Sequence, residues 1–157
     1  IMDHISHLNP MRIEVSGVWD LFHVGHARLI ERAKALAPPG EPAVLLVGVH
    51  TDEVVAEYKR APVIPYKQRA EMVGNHRLVD GVILDAPLHV TEEYMNKHSI
   101  DLVVHAHDDS DTFYDELYKV PIQLGKFKRL DYTPEISTTE IINKNTHELC
   151  VVFRVNH

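Results

Sequence analysis

Apolar and polar residues repeat along the chain with two different periods, which predict strands and helices in turn. Residues Met11 to Gly17 alternate with a period of two, the pattern of a short strand. From Leu29 to Leu36 the apolar residues recur at helical spacing, and the segment APPGEP (37–42) then ends that helix. The continuous apolar run Ala43 to Val49 predicts a strand that is buried on both faces of a parallel sheet.

The same alternation continues through the rest of the chain. We predict further strands over Gly81 to Leu84, Asp101 to His105 and Phe127 to Leu130, and helices over Asp52 to Tyr58, Tyr66 to Gly74, Thr91 to about His98, Phe113 to Leu124 with a break around Pro121, and Ser137 to about Lys144. This order predicts an α/β fold with a doubly wound, Rossmann-like parallel sheet in a single domain. In such sheets ligands bind at the carboxyl ends of the strands.

The two ends of the chain lack this pattern. Residues 1–10 have no periodicity and are expected to form a tail outside the fold, which leaves residues 11–145 as the domain. Residues 146–157 are interpreted as a C-terminal extension, and the apolar segment within it fits an added strand and a partner contact equally well.

Composition narrows the class of protein. The 157 residues are 45% hydrophobic, which is typical of a globular domain, and no apolar run approaches the roughly 18 residues of a membrane span. The net charge of -7 argues against nucleic acid as a partner, because that binding needs clustered cations. A single cysteine, Cys150, cannot form an internal disulfide, which favours a reducing, cytoplasmic location.

Candidate chemistry begins directly after the first strand, in the loop GVWDLFHVGH (17–26). A loop that leads from a strand into a helix can bind an anion through backbone N–H groups and the helix N-terminus. It matches neither the Walker loop nor the dinucleotide G-x-G-x-x-G pattern. It offers instead His23 and His26, which are three residues apart and share one helix face, with Gly25 leaving room for a ligand.

Three interpretations of this histidine pair are open. A metal site lacks a third His, Asp or Cys at a matching spacing. The two rings also fit helix-capping or core histidines. Binding of a phosphate explains best why two imidazoles follow a strand at this spacing, and it is the interpretation that we favour.

Two distant motifs together resemble a known family. HVGH after a strand and ISTT (136–139) at the start of a late helix are similar to the cytidylyltransferases of the HxGH nucleotidyltransferase superfamily. The intervening segments LLVGVHTDE, LVDGVILDAP and DLVVH follow in the family's order. Two other segments, VHAHD and YKVPIQLGKFK, resemble the ethanolamine-phosphate cytidylyltransferases in particular.

The resemblance implies an activity. The family's reaction would transfer the cytidylyl group of CTP, with Mg²⁺, to phosphoethanolamine and release pyrophosphate, in a homodimeric protein. It depends on positioning and charge stabilisation more than on covalent catalysis. Phosphocholine or glycerol 3-phosphate are the alternative acceptors, and a catalytically weak nucleotide-binding regulatory domain is the alternative outside catalysis.

The resemblance also implies roles for individual residues. The catalytic group comprises His23, His26 and Lys59, and the acceptor would be bound by Asp20, on its ammonium group, and by Asp108. Nucleotide-binding residues are implied at Gly17, Val18, Trp19, Gly25, Arg69, His105, Ser137, Thr138 and Thr139. No residue is assigned to a metal. Each polar group has a structural alternative: a solvated loop lysine for Lys59, a strand-end hydrogen bond for His105 and Asp108, and a plain N-cap for one of the hydroxyls.

The sequence departs from the family pattern at four positions. Tyr132 stands where the family has an arginine that contacts nucleotide, and the loss of such a charged contact costs about 1.5–3 kcal/mol unless Lys128 or Arg129 compensates. Glu135 replaces a glycine, and Ser16 replaces an acidic residue. Leu88 stands where choline-specific relatives have a tryptophan, which favours the primary ammonium because a quaternary ammonium binds best on an aromatic face.

Overall fold

The computed structural model describes residues 9–132 and 137–144. The strands are β1 (Met11–Gly17), β2 (Ala43–Val49), β3 (Gly81–Leu84), β4 (Leu102–Ala106) and β5 (Phe127–Leu130). The helices are α1 (Val24–Lys34), α2 (Asp52–Ala56), α3 (Tyr66–Gly74), α4 (Glu92–Lys97), α5 (Phe113–Leu117), α6 (Lys119–Gln123) and α7 (138–144). The predicted C-terminal extension, and most of the predicted N-terminal tail, lie outside the described residues.

The five strands form one sheet in the order β3-β2-β1-β4-β5, and every neighbouring pair is parallel. This confirms the predicted α/β, doubly wound fold. The order reverses between β1 and β4, since β1 pairs with β2 on one side and with β4 on the other. The carboxyl ends of β1 and β4 therefore border the switch point, where ligands bind in open sheets of this class.

The sheet is buried between two apolar layers. Alternate residues of β1 and β2 point to opposite faces, so that Ile13 and Leu45 join one cluster with Ile30 of α1, while Leu46 joins a second cluster with Tyr94 of α4. The continuous apolar run of β2 is explained by this arrangement, because its residues from Leu45 onward are buried whichever face they point to.

The predicted long helix near Phe113 is two short helices, and the break is not at the proline. α5 ends at Leu117, α6 begins at Lys119, and Tyr118 lies between them. Pro121 is tolerated inside α6 because it lies in the first turn, where backbone N–H groups have no partner within the helix.

Candidate active site

A cavity of about 730 Å³ opens at the carboxyl ends of β1 and β4, a size typical of small-molecule sites. Its wall is formed by the loop after β1, the start of α1, the loop after α2 and the start of α7. All of the predicted site residues except Arg69 and Asp108 line it. The fold thus brings the two distant motifs HVGH and STT to one place.

His23 and His26 both cap α1 through their Nδ1 atoms. His23 Nδ1 accepts the N–H of Gly25 at 3.0 Å, and His26 Nδ1 accepts the N–H of His23 at 3.2 Å, in a reciprocal capping box. The two rings are stacked with their centroids 3.8 Å apart. The capping interpretation therefore describes what these rings do within the fold.

The same bonds fix what the rings offer to a ligand. A nitrogen that accepts a backbone N–H carries no proton, so each neutral ring holds its proton on Nε2 and presents a donor there. Burial lowers the pKa of His26 to about 3 and also lowers the pKa of His23, so both rings are neutral near pH 7. They can donate hydrogen bonds to phosphate oxygens without carrying charge.

The turn before α1 is held in a strained conformation. Trp19 and Leu21 have φ angles of 57° and 51°, in the left-handed region that side chains rarely adopt. The Trp19 indole N–H donates to the carbonyl of Gly48 at 2.9 Å, and its ring lies so close to Gly17 that a Cβ there would be 3.2 Å from it. Gly17 and Trp19 thus act first by shaping the cavity wall.

Asp20 anchors the loop that follows α2. Its two carboxylate oxygens accept the N–H groups of Val63 and Ile64 at 2.8 and 2.9 Å, and one of them also lies 3.4 Å from a guanidinium nitrogen of Arg60. Its backbone carbonyl accepts the hydroxyl of Thr138 at 2.8 Å. Asp20 lines the cavity, but protein donors already reach both oxygens, and its binding of an ammonium group stays a prediction.

Arg69 does not reach the cavity, in contrast to its predicted contact with nucleotide. Its side chain is fully buried and donates to the carbonyls of Val18, His50 and Ile64, and to the carboxylate of Asp52 at 2.8 Å. Four of its five N–H donors are thereby used within the protein. Arg69 holds the strand ends and loops that form the cavity in place.

Asp108 is also placed differently from its prediction. It is exposed, lies outside the cavity wall, and its Oδ1 accepts the backbone N–H and the hydroxyl of Ser110 at 2.9 and 2.7 Å. These bonds lower the pKa of its carboxyl group. Asp108 therefore has the structural role that was the alternative to acceptor binding, a hydrogen bond just beyond the end of β4.

Lys59 and Arg60 place positive charge on the cavity wall. Lys59 is exposed, and its Nζ lies 5.4 Å from the centre of the Tyr58 ring. Desolvation by the surrounding protein, followed by the charge of Arg60, lowers the pKa of the ammonium group. The solvated-loop alternative and the predicted phosphate contact both agree with this position, since Lys59 is exposed and lines the cavity.

The predicted hydroxyls at the start of α7 divide into different roles. The Ser137 hydroxyl accepts the N–H of Glu140, and the Glu140 carboxylate accepts the N–H of Ser137, both at 3.1 Å. Ser137 is therefore the N-cap in a capping box, and Thr138 is bonded to Asp20. Thr139 is exposed in the cavity wall.

His105 closes the cavity at the end of β4. Its Nδ1 lies 3.0 Å from Nδ1 of His107, and its ring packs against Tyr114 with the centroids 4.5 Å apart. Burial, and then the nearby His107, lower the pKa of His105 to about 3. A neutral imidazole in the cavity wall suits the predicted nucleotide contact and also fits the structural alternative.

Several cavity residues were missed by the sequence reasoning. They share no motif and come from several separate helices, strands and loops: Leu29, Arg32, Val55, Arg60, Pro62, Ala106, Tyr114, Asp131 and Glu140. Arg32 follows Gly25 and Leu29 at helical spacing, which is the one signal that identifies it. Neither Lys128 nor Arg129 lines the cavity, and Arg129 is bonded to Asp131 at 2.6 Å, so the predicted compensation for Tyr132 does not come from them.

A family model for cytidylyltransferase-like proteins matches residues 15–144, and the chain belongs to that family. It is 38% identical over 143 residues to choline-phosphate cytidylyltransferase 2 of Arabidopsis thaliana, covering 89% of this chain and 46% of that protein. It is 34% identical over 148 residues to ethanolamine-phosphate cytidylyltransferase of Dictyostelium discoideum, covering 91% and 39%. The chain spans less than half the length of these two relatives.

A solved structure supports the fold. The chain resembles the lipopolysaccharide core biosynthesis protein from Thermoplasma volcanium GSS1 with a TM-score of 0.62 at 20% identity, covering 80% of this chain and 98% of that one. Across the part of the chain that the structure describes, no helix is both long and apolar enough to cross a membrane.

Proposed function

We propose that this protein transfers the cytidylyl group of CTP to phosphoethanolamine. In this reaction a phosphate oxygen of phosphoethanolamine bonds to the α-phosphorus of CTP, and the bond from that phosphorus to the bridging oxygen of the β-phosphate breaks. The electron pair leaves with pyrophosphate, and CDP-ethanolamine is formed. Membership of the cytidylyltransferase-like family supports the reaction class.

One observation carries the proposal: the capping bonds of His23 and His26 leave two Nε2–H donors at a helix N-terminus inside the cavity. Neutral donors aimed at developing negative charge stabilise a leaving pyrophosphate without a cost of reorganisation. The positive end of the helix dipole acts in the same direction. Lys59 and Arg60, which also line the cavity, supply positive charge that attracts the phosphates of both substrates.

Mg²⁺ is proposed to enter with the phosphates of CTP, because Mg²⁺ is usually held by one or two carboxylates together with substrate phosphates. Glu140, whose charge acts on His23, is the carboxylate of the cavity wall that would help to hold the ion, whereas the carboxylate of Asp131 is paired with Arg129. When bound, the ion would neutralise charge on the phosphates. The described residues contain no cluster of three or more His, Cys, Asp or Glu that could hold a metal ion by themselves.

The choice between phosphoethanolamine and phosphocholine as the acceptor depends on how the ammonium group is bound. Leu88 in place of a tryptophan supports the primary ammonium of phosphoethanolamine, although it packs against the second core cluster and lies outside the cavity wall. Phosphocholine is the second candidate, because the aromatic rings of Tyr114 and Tyr132 do line the cavity and can hold a quaternary ammonium. The Arabidopsis relative named above carries choline-phosphate in its name.

The test is a substrate panel with labelled CTP and fixed Mg²⁺. We expect labelled CDP-ethanolamine from phosphoethanolamine, with slower turnover of phosphocholine and glycerol 3-phosphate. A preference for phosphocholine would replace the acceptor and keep the reaction. Normal CTP binding without turnover of any acceptor would contradict the reaction and favour a nucleotide-binding regulatory domain.

A further inference from the structure

A second pair of histidines lies at the end of β4, and its two members differ in their access to the cavity. His105 lines the cavity, whereas His107 is buried and is not part of the wall. Their Nδ1 atoms lie 3.0 Å apart, which is a hydrogen-bonding distance. Because Nδ1 of His105 is engaged by His107, Nε2 is the ring nitrogen of His105 that remains for a ligand.

This contact requires one proton between the two Nδ1 atoms. Two protons there would repel each other, and none would leave two lone pairs facing each other. Burial is the first cause that lowers the pKa of both His105 and His107, so both rings are neutral near pH 7 and each carries one proton. The two rings are therefore opposite tautomers, one with its proton on Nδ1 and the other with its proton on Nε2.

The fold holds His107 beside His105. The backbone N–H of His107 donates to the carbonyl of Leu130 at 3.2 Å, and its carbonyl accepts a hydrogen bond from the guanidinium of Arg129 at 2.9 Å. Its ring is stacked on the ring of Tyr114, with the centroids 4.7 Å apart. The end of β5 and an aromatic side chain thus fix where the imidazole of His107 meets its neighbour.

The tautomers of this pair are not fixed by the backbone, in contrast to those of His23 and His26. A backbone N–H can only donate, so it decides the tautomer of the ring that accepts it. An imidazole can either donate or accept. The proton between His105 and His107 can therefore belong to either ring, and a ligand at Nε2 of His105 decides which arrangement is favoured.

Lys59 connects His105 with the phosphate end of the cavity, which is the end where His23 and His26 begin α1. Burial comes first among the causes that lower the pKa of His26 and of His105, and the charge of Lys59 contributes to both. Its ammonium group is therefore within electrostatic reach of both rings. A phosphate that is attracted by Lys59 is thereby brought near His105.

We infer that His107 is a positioning residue: with a phosphate in the cavity, it donates its Nδ1–H to His105, and His105 donates its Nε2–H to a phosphate oxygen. The opposite arrangement would direct the lone pair of Nε2 at an oxygen that carries negative charge. Each ring keeps one proton in either arrangement, so the pair provides a neutral donor without a change of charge. The phosphate can belong to CTP or to phosphoethanolamine, and the inference rests on the proposed function only for the identity of these ligands.

Nuclear magnetic resonance of the whole chain with isotope-labelled histidine identifies the tautomers, because the ring signals differ between the Nδ1–H and Nε2–H forms. Spectra of His107 variants assign the signals of the pair. In the complex with CTP, in the complex with phosphoethanolamine, or in both, we expect the proton of His105 on Nε2 and that of His107 on Nδ1. Any other arrangement in both complexes would overturn the inference.

Two variants of His107 separate its donor from its packing. Phenylalanine keeps a ring against Tyr114 but has no donor, whereas the amide of asparagine can donate from close to the position of Nδ1. Calorimetry with CTP and with phosphoethanolamine, each titrated alone, shows which phosphate makes the contact. For that ligand we expect about ten-fold weaker binding in His107→Phe, and binding within about three-fold of the wild type in His107→Asn. His89→Phe is the matched control, since His89 is exposed and lies outside the cavity wall.

The outcomes separate this inference from the proposed function, once circular dichroism has verified that each variant is folded. Equal losses in His107→Phe and His107→Asn would indicate packing alone and overturn the inference, as would unchanged affinity for both ligands in His107→Phe. Cytidylyl transfer by a wild type whose affinities do not depend on His107 would leave the proposed function standing alone. Affinity that depends on the donor of His107, without transfer to any acceptor, would support the inference and contradict the reaction.

Discussion

At the scale of single residues, the histidine pair shows how a structural role and a chemical one can share a side chain. His23 and His26 cap α1 with one ring nitrogen and hold a proton on the other. Replacing both with alanine would therefore remove helix caps as well as donors, and loss of activity would have two causes. A cap that is removed costs about 0.5–2 kcal/mol of stability.

Asn at position 23 and Gln at position 26 separate the two roles, because Asn is a favoured N-cap and Gln a favoured partner at the third position. We predict that His23→Asn with His26→Gln stays close to the wild type in free energy of unfolding but loses at least 100-fold in kcat, because the amide N–H groups do not occupy the positions of the preorganised Nε2–H donors. Urea unfolding and single-turnover kinetics measure the two quantities. The double alanine variant is the control, and wild-type kcat in the Asn/Gln variant would remove these rings from the chemistry.

Glu14 is a second residue whose surroundings decide its behaviour. It is fully buried in β1, where Ser16 donates a hydrogen bond to one of its oxygens and the other has no partner among the described residues. Burial raises the pKa of Glu14 from 4.5 to about 7, more than the bond from Ser16 lowers it. Between pH 4.5 and about pH 7, Glu14 is therefore protonated in the folded protein and ionised in the unfolded chain.

A raised pKa in the folded state stabilises the fold fully below pH 4.5 and loses that contribution as the pH rises to about 7. We predict that Glu14→Gln, which cannot ionise, gains stability relative to the wild type by about 1.4 kcal/mol per pH unit across this interval. Above about pH 7.5 the difference should be constant. Urea unfolding of both proteins from pH 4 to 9 measures it, and parallel curves would show that Glu14 does not titrate there.

At the scale of elements, the alternation of strands and helices was predictable because each pattern has its own period and its own terminating residues. The strands agree with the predicted segments to within one residue at each end. The predicted break at Pro121 is wrong, because a proline in the first turn of a helix does not interrupt the hydrogen bonds of that helix. The sequence pattern did not predict the contacts between elements. Arg69 is an example, because the backbone carbonyls that it binds come from three different segments of the chain.

Arg69 yields a prediction about how those elements hold together. Arg69→Met fills a similar volume but leaves the carbonyls of Val18 and His50 without their buried donor, which should cost about 3 kcal/mol. Thermal unfolding measures the loss. Arg77→Met is the control and should change stability by less than about 0.5 kcal/mol, as exposed substitutions do. A nucleotide-binding arginine would instead lower CTP affinity and leave the unfolding temperature unchanged.

At the scale of the whole molecule, the cavity draws its wall from segments that run from Ser16 to Glu140. The net charge of -7 describes the surface, whereas the cavity holds Arg32, Lys59 and Arg60. The sequence motifs located the phosphate end of this cavity. They did not locate Arg32, because its place in the cavity wall depends on a contact between distant segments, the hydrogen bond of its guanidinium to the backbone carbonyl of Asp131.

A ligand that contacts so much of the chain should stabilise all of it. We predict that CTP at 100 times its dissociation constant adds about 2.7 kcal/mol to the free energy of unfolding, which raises the melting temperature by roughly 5–10 °C. Differential scanning calorimetry with CTP, with sodium sulfate at equal ionic strength as the control, measures this. An equal rise with sulfate would show a salt effect in place of a nucleotide site.

Trp19 is the one tryptophan of the chain, and it is 3% exposed in the cavity wall, with its ring centroid 5.4 Å from that of His26. All indole fluorescence of the molecule therefore comes from this wall. Its emission responds to whatever enters beside the histidine pair, without a dye or an engineered label. Stopped-flow fluorescence of the unmodified chain can thus follow the arrival of nucleotide and the departure of product in real time.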